Sequence, residues 1–331
     1  MRPAVSIVVP TYTRVDRLGR VLQALADQTV PAADIEVIVV SDGSTDGTAD
    51  YLSGDDLPRP VVAVLQDNGG PAAARNGGLR RATADLVLFI DDDVIPTETL
   101  VAEHLAAQRA HPGTVVIGPM LTPPDHPMQV WVRWEQQMLY KQYDALAAGR
   151  YSATARQFYT GNVSVPRALL ERYGGFDESF RRAEDIELAY RFADDGVEFH
   201  FERGAEAYHY AERSFASWCD IAYQYGRNDV VFARYPGRER LGKFLAWTFS
   251  QHRLPVRLVT WATVSSALFA KAVVGVMRAL VSVGEWLRLP LLSRGALSVI
   301  HSVLYHQGMA DELGGSARFR STMKTGVIDP L

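Results

Sequence analysis

Leu86-Val-Leu-Phe-Ile-Asp-Asp-Asp-Val94 runs five apolar residues straight into three consecutive carboxylates. A short run rich in Val, Ile and Phe reads as a strand buried on both faces, as in a parallel sheet. Unpaired buried charge is too costly for acids to lie within such a strand. They must stand where the chain leaves the sheet, at its carboxyl edge, which is where open α/β sheets bind ligands. Three negative charges on rigid backbone attract a cation, and hard divalent Mn²⁺ or Mg²⁺ takes oxygen ligands. Asp side chains bonding to the backbone N–H groups of a following helix would satisfy the same sequence without any ligand. What else the chain brings to that edge decides between the two.

The elements around the acids are strands and helices in alternation. Val5 to Val9 reads as a first strand, stopped by Pro10, and Leu18, Val21, Leu22, Leu25 and Ala26 form one apolar face of a helix over 16–28. Ile35 to Val40 is a second strand, followed by a polar turn over 41–48 with helix-capping residues. Val61 to Leu65 is a third, and the segment 69–78 starts as a loop and enters a helix, with Pro71 suited to the first turn. The acidic stretch supplies strand four and residues 97–110 the next helix. Four such repeats imply βαβ units with right-handed crossovers and a parallel sheet. Beyond Gly118 the pattern changes to helices over 129–146, 167–173, 184–193 and 214–235, with a short strand near 161–166 and strands or loops at 199–201 and 207–210.

Composition narrows the function classes. The 331 residues are 47% hydrophobic and 22% charged, ample for a core, and the net charge of −4 offers no global basic field for nucleic acid. A single cysteine, Cys219, excludes an internal disulfide framework and fits a reducing compartment; on a helix it reads as a small buried hydrophobe. The apolar run before Pro10 lacks the longer core and cleavage site of a signal peptide, so the expected location is the cytoplasm, at large or against the inner face of the cell membrane.

From Leu241 to Leu304 the chain is apolar, aromatic and sparsely basic. Lys271 and Arg278 interrupt it, and no run reaches the roughly 18 uninterrupted apolar residues of a spanning helix. Two readings compete there: interfacial helices with Lys and Arg at lipid headgroups, or plain packing and homodimerisation. The expected division is a catalytic domain over 1–235 and a helical extension over 236–331.

Val5-Ser-Ile-Val-Val-Pro-Thr-Tyr-Thr-Arg14 resembles the opening of the family-2 glycosyltransferases with the GT-A fold. Ser41-Asp-Gly-Ser44, Asn68-Gly-Gly-Pro-Ala-Ala-Ala-Arg-Asn76, Asp91-Asp-Asp93, Gly174-Gly-Phe-Asp-Glu178 and Glu184-Asp185 follow in the family's order. Six short motifs, each weak alone, gain weight from order and spacing, and they cover roughly residues 4–235. The resemblance implies a Rossmann-like, mostly parallel sheet flanked by helices. It implies a metal-dependent, inverting transferase that moves a sugar from a nucleotide-diphospho-sugar, with UDP as the expected nucleotide, to a glycan or polyprenyl-linked acceptor.

On that pattern Pro10, Thr11 and Tyr12 form the floor and side of a nucleobase pocket, and Asp42 accepts the N3–H of uracil. Arg14 and Arg75 meet phosphate oxygens or fix the acidic loop, a pairing to which the guanidinium is suited. Asp91 contacts the donor ribose or metal, Asp93 binds the metal, and Asp92 points away or is held by a neighbouring cation. His209 looks like the family's late histidine that completes the metal site. Asp185 is the general base, Glu184 a supporting group or acceptor contact, and Gly161-Asn162 lie near the donor sugar or acceptor. Trp131 and Trp134 read better as core than as sugar platforms.

The processive synthases of the family carry Gln-x-x-Arg-Trp after the base. Gln224-Tyr-Gly-Arg-Asn228 has the Gln and Arg without the Trp, which argues for transfer of one or a few sugars. A nucleotidyltransferase wants a Gly-rich basic loop after strand one, and a dinucleotide-binding dehydrogenase wants G-x-G-x-x-G there; Pro10 to Arg14 supplies neither. A catalytically silent nucleotide-sugar-binding or scaffold protein of the same fold is the remaining rival, because fold alone does not fix function.

Overall fold

The computed structural model describes residues 2–180, 182–252 and 254–329. It divides into two compact units, one of residues 1–127 and 136–211 and the other of 128–135 and 212–331. The helix at 214–235, assigned above to the catalytic domain, falls in the second unit, as do the residues just before Gln136.

The first unit opens β1 (Val5–Thr11), α1 (Val15–Ala26), β2 (Ile35–Asp42), α2 (Thr48–Ser53), β3 (Val62–Gln66), α3 (Pro71–Leu79) and β4 (Leu86–Ile90). It continues with β5 (Val94–Pro96), α4 (Leu100–Ala110), β6 (Val115–Ile117), β7 (Met120–Leu121) and α5 (Val130–Ala147), whose first turns belong to the other unit. β8 (Asn162–Pro166), α6 (Arg167–Arg172), α7 (Glu184–Asp194), β9 (Phe199–Phe201) and β10 (Ala207–His209) complete it. Among the described residues a seven-stranded sheet has the order β3-β2-β1-β4-β8-β6-β9, and a three-stranded one the order β5-β10-β7. β3, β2, β1 and β4 are parallel; β8 runs antiparallel to both β4 and β6.

The central strands are buried because helices cover both faces. Ile7, Val9, Val39 and Leu88 are inaccessible, together with Leu18, Leu22 and Leu25 of α1. Each such side chain is worth roughly 1.5–3 kcal/mol relative to exposure. β3 is the edge, and its Leu65 is 60% exposed. The helix expected from residue 97 begins at Leu100, because Thr97 instead gives its hydroxyl to Glu206 O at 2.8 Å, fastening the end of β5 to the chain entering β10.

Helix α3 lies unusually close to the sheet. A Cβ on Gly78 would stand 2.3 Å from Val8 Cγ1, and one on Gly77 2.5 Å from Gln66 Oε1. Ala72, Ala73 and Ala74 complete a face of small side chains. Only such residues allow this approach, and it brings the helix start beside Asp42.

The second unit is helical: α8 (Phe215–Ala233), α9 (Glu239–Gln251), α10 (Leu254–Thr263), α11 (Ala267–Trp286), α12 (Pro290–Glu312) and α13 (Ser316–Thr325). α8 and α12 cross at glycines, for a Cβ on Gly226 would lie 1.8 Å from Tyr305 O and one on Gly308 2.0 Å from Tyr223 O. Of the Gln-x-x-Arg segment, Arg227 serves this helix pair, its Nη2 donating to Glu312 at 2.8 Å, whereas Gln224 donates within α8 to Asp220 at 3.3 Å. Trp134 packs edge-on against Trp218 at 5.7 Å and Trp131 donates to Arg213 O, so both tryptophans are packing residues. Cys219 sits beside that cluster, and burial pushes its thiol up to about 11. α11, whose apolar run is broken by Lys271 and Arg278, is nevertheless long and apolar enough, by length and composition alone, to cross a membrane.

Candidate active site

Parallel β1, β2 and β4 end at one edge, where the segments leaving them carry Pro10 to Arg14, Asp42 and Asp91 to Asp93. With the start of α3 these residues line an open cavity of 440 Å³. Tyr12 stands 54% exposed at it.

The three acids diverge. Asp92 turns inward and is 5% exposed; Thr11 Oγ1 and Arg14 Nη1 each donate to it at 2.8 Å. Burial raises its carboxyl above the ordinary range, against the pull of Arg14 and Thr11. Asp92, held by a neighbouring cation, and Thr11 thus brace Arg14, while both also line the cavity. Burial works against the charge of Arg14, but Asp92 and its neighbouring acids outweigh it and hold the guanidinium above its usual value.

Asp93 lies near three nitrogens: Arg14 Nη1 at 3.3 Å, Arg17 Nη1 at 3.8 Å and His209 Nε2 at 3.7 Å. His209 arrives through the small sheet, where β10 pairs antiparallel with β5 so that His209 opposes Val94, the residue after Asp93. Arg17 was missed in the sequence, although its place three residues after Arg14 puts both on one side of a starting helix.

Asp91 turns the other way. Arg75 Nη2 donates to it at 2.8 Å while Nη1 donates to Glu184 at 2.6 Å. Arg75 is buried, and despite the cost of burial Asp91 and Glu184 raise its pKa. Glu184 is 6% exposed and bonded into this bridge. Next to it Asp185 is half-buried and accepts from the N–H of Ile186 at 2.8 Å. Burial and then the Glu184 charge push its carboxyl up to about 7, with Arg75 opposing.

Asp42 is largely taken up by its own fold. Oδ1 accepts from Gln66 Nε2 at 2.8 Å and Gly69 N at 2.9 Å, and Oδ2 from Gly70 N at 2.8 Å. The carboxylate holds the loop that leads into α3; two oxygens with about four acceptor sites still leave capacity for a further donor. Asn68, which donates to Asp42 O, and Gln66 were not singled out in the sequence. Asn76, inside a family motif, holds Gly174 to Glu178 against α3 through Phe176 and Glu178, both at 2.9 Å.

The expectation for Asn162 is corrected. It is fully buried, its Nδ2 donating to Ala205 O at 2.8 Å and Pro119 O at 3.1 Å, with His104 Nε2 2.9 Å from its Oδ1. His104 in turn meets Ser164, and burial pushes its imidazole down to about 4, keeping it neutral. This polar web fastens β8 to α4. Gly161 backs the acids: a Cβ there would stand 3.2 Å from Asp91 Oδ2 and 2.7 Å from Met120 Sδ.

Thr13 and Ala183 adopt left-handed φ of +54° and +62°, a conformation costing roughly 1–2 kcal/mol outside glycine. Each lies beside site residues, Thr13 before Arg14 and Ala183 before Glu184. Strain held at such places belongs to sites whose geometry is over-determined by their surroundings.

The sequence model of Glycosyl transferase family 2 matches residues 6–174, just over half of the chain. Validoxylamine A glucosyltransferase of Streptomyces hygroscopicus subsp. jinggangensis (strain 5008) is 36% identical over 236 residues, 62% of this chain and 56% of that protein. The chain thus spans little more than half the length of the curated relatives it matches. A mannosyltransferase of Pyrobaculum calidifontis, solved with GDP-Man and Mn²⁺, superposes with a TM-score of 0.58 at 21% identity, over 91% of this chain and 86% of that one. Residues 1–349 of Staphylococcus aureus TarS with UDP-GlcNAc give a TM-score of 0.55 at 19% identity, over 95% and 93%. These two likenesses show the GT-A fold.

Proposed function

Because the chain belongs to glycosyl transferase family 2, we propose that it transfers a sugar from a nucleotide-diphospho-sugar, a UDP-sugar, to a hydroxyl of a glycan or lipid-linked acceptor. Arg75 carries this reading. One buried guanidinium joins Asp91, at the cavity, to Glu184, the neighbour of Asp185, and so sets the donor edge and the proposed base on one rigid link.

Transfer in a single displacement inverts the anomeric centre and requires the acceptor hydroxyl to lose a proton as its oxygen attacks. Asp185 takes that proton; a carboxylate whose acid form lies near 7 is well matched to the task at neutral pH. Tyr12 offers a ring face to the base, and Asp42 Oδ2 accepts its N–H. Arg14 and Arg17 bring positive charge to the diphosphate as it departs, and Asp92 orients Arg14 for that role.

Asp93 and His209 supply one carboxylate and one imidazole, 3.7 Å apart; a transition ion such as Mn²⁺ could use both, and Mg²⁺ the carboxylate alone. Among the described residues no group of three or more His, Cys, Asp and Glu forms a complete metal cage. Such a partial set is what a cation shared with substrate phosphates needs, since Mg²⁺ is commonly held by one or two carboxylates plus phosphate oxygens. When bound, the ion neutralises negative charge on the leaving diphosphate.

The test is thermal stabilisation by UDP, GDP and dTDP with and without Mn²⁺, on wild type and Asp93→Ala. A ligand that binds the native state raises the midpoint as its concentration rises. The expected result is a UDP shift that needs Mn²⁺ and is lost in Asp93→Ala. A GDP or dTDP preference would overturn the base assignment, and no shift with any nucleotide would favour the silent scaffold.

A further inference from the structure

Helix α11 of the second unit divides into three stripes. Ala270, Val281 and Gly284 are buried, and Val274 and Met277 pack with the cluster of Trp218, Leu297 and Ile300. Spacings of three and four residues put these five on one helix face. Lys271, Gly275, Arg278, Ser282 and Glu285 form a second stripe, exposed and polar or small. Leu268, Val276, Val283 and Trp286 form the third, apolar and yet 80%, 57%, 42% and 82% exposed. Leu287, Leu289 and Leu291 extend the exposed apolar surface into the start of α12.

Charge around this surface has one sign. Residues 240–310 contain eight Lys and Arg against a single acid, Glu285, in a chain whose net charge is −4. Glu285 is itself paired with Arg133 at 2.6 Å. The same unit combines cations with exposed apolar groups again in a groove of 470 Å³ lined by Leu258, Trp261, Arg320 and Lys324.

We infer that the exposed stripe of α11 is a docking surface for an anionic phospholipid bilayer, in whose interface the helix lies flat. An apolar stripe bordered by Lys and Arg is the arrangement of an interfacial helix, with the long basic side chains reaching headgroups while the stripe enters the acyl boundary. A spanning orientation fits poorly, because the buried stripe packs along the helix against its own unit, α12 included. A second copy fits poorly too. An isologous contact would bring Lys271 and Arg278 towards their own equivalents, with no unpaired acid in this stretch to answer them. Anionic headgroups supply the missing charge.

Flotation of the purified full chain with two kinds of vesicle tests this inference, independently of the nucleotide experiment above. One is dioleoylphosphatidylcholine alone; the other includes one-third dioleoylphosphatidylglycerol. At low salt the anionic vesicles should carry about tenfold more protein, given the attraction of each basic residue to an acidic surface, and added salt should reduce the difference. The triple variant Leu268→Ser, Val283→Ser, Trp286→Ser should keep its thermal midpoint and stop floating. Lys271→Glu with Arg278→Glu should lose the preference for anionic lipid. Absence of flotation with the anionic vesicles would overturn the inference, as would a triple variant that floats like wild type. Resistance to alkaline carbonate extraction would replace a flat helix by a spanning one. A dimer in light scattering that the triple variant abolishes would assign the stripe to a second copy.

Discussion

In the sheet-bearing unit Arg75, Asp92 and Glu184 are all nearly inaccessible, and each is bonded to an opposite charge. In the helical unit Lys271, Arg278 and Arg294 stand exposed, while α8 crosses α12 with backbone against backbone at Gly226 and Gly308, and Arg227 and Arg234 pair with Glu312 beside the crossing. The first unit buries more charge and must brace each ion; the second buries fewer charged groups, Asp229 and Arg238 among them, and gains much of its close fit from the absence of side chains. Geometry at the sheet edge is thus held by a few strong, directional links. Geometry in the helical unit leans more on shape, and the surface of α11 is left apolar and basic.

Substitutions at three positions probe that contrast. The largest effect is expected from Asp185→Asn, which should lower transfer by roughly 10²–10⁴-fold, the usual worth of a general base. With Asp185 as the proposed base the deprotonated form is the active one, so kcat/KM should rise with pH through about 7 and level above it, and the variant should lose this profile. The stability sign is opposite. Since the folded carboxyl is held well above its unfolded value of 3.8, the native state binds the extra proton between about pH 4 and 7 and loses stability as pH rises across that window. Asp185→Asn should therefore melt at or above the wild-type temperature at neutral pH; a large fall would mean that the carboxylate has a structural role instead.

Arg75→Ala should cost about 3–5 kcal/mol in urea unfolding, because it leaves Glu184 buried without its cation. Arg75→Lys should recover part of the stability but little transfer, since an ammonium cannot reach two carboxylates as a fork does. Equal recovery of both would reduce Arg75 to a plain counter-charge. The smallest of the three is Gly308→Ala in the helical unit. A free helix position gains up to about 1 kcal/mol from this change, but here the new methyl meets Tyr223 O and should cost about 1–3 kcal/mol. A neutral or stabilising result would show that the crossing can open.

How far these features were legible depends on the distance over which they are encoded. β1, β2 and β4 announce themselves as unbroken Val, Ile and Leu runs, and the placement of Asp91 at the end of β4 followed from the cost of burying it. The partner of Arg75 did not follow, because Glu184 lies 109 positions away and nothing local marks the pair. Asn162 misled for a related reason. A polar residue opening a buried strand looks like a ligand contact, whereas its partner His104, 58 positions earlier on α4, had already claimed it. The excursion of residues 128–135 into the second unit was hidden as well: α5 keeps one helical periodicity through Trp131, Trp134 and Met138, although the chain changes unit at Gln136. Arg17 is different, since its spacing from Arg14 was visible and only its target was not.

The contact of α3 with the sheet bears on how this cavity can change its ligand. With Gly77 and Gly78 already pressed against β1 and β2, that helix has no slack to retreat from a bulkier guest. Pro71 and Ala74, which line the cavity, therefore act as a stiff wall. In the proposed function such a site would select by refusal: a nucleobase too large for the gap would be turned away, not accommodated. New preferences would have to arise in the loop from Gln66 to Gly70, where side chains can be exchanged without lifting a helix off its sheet.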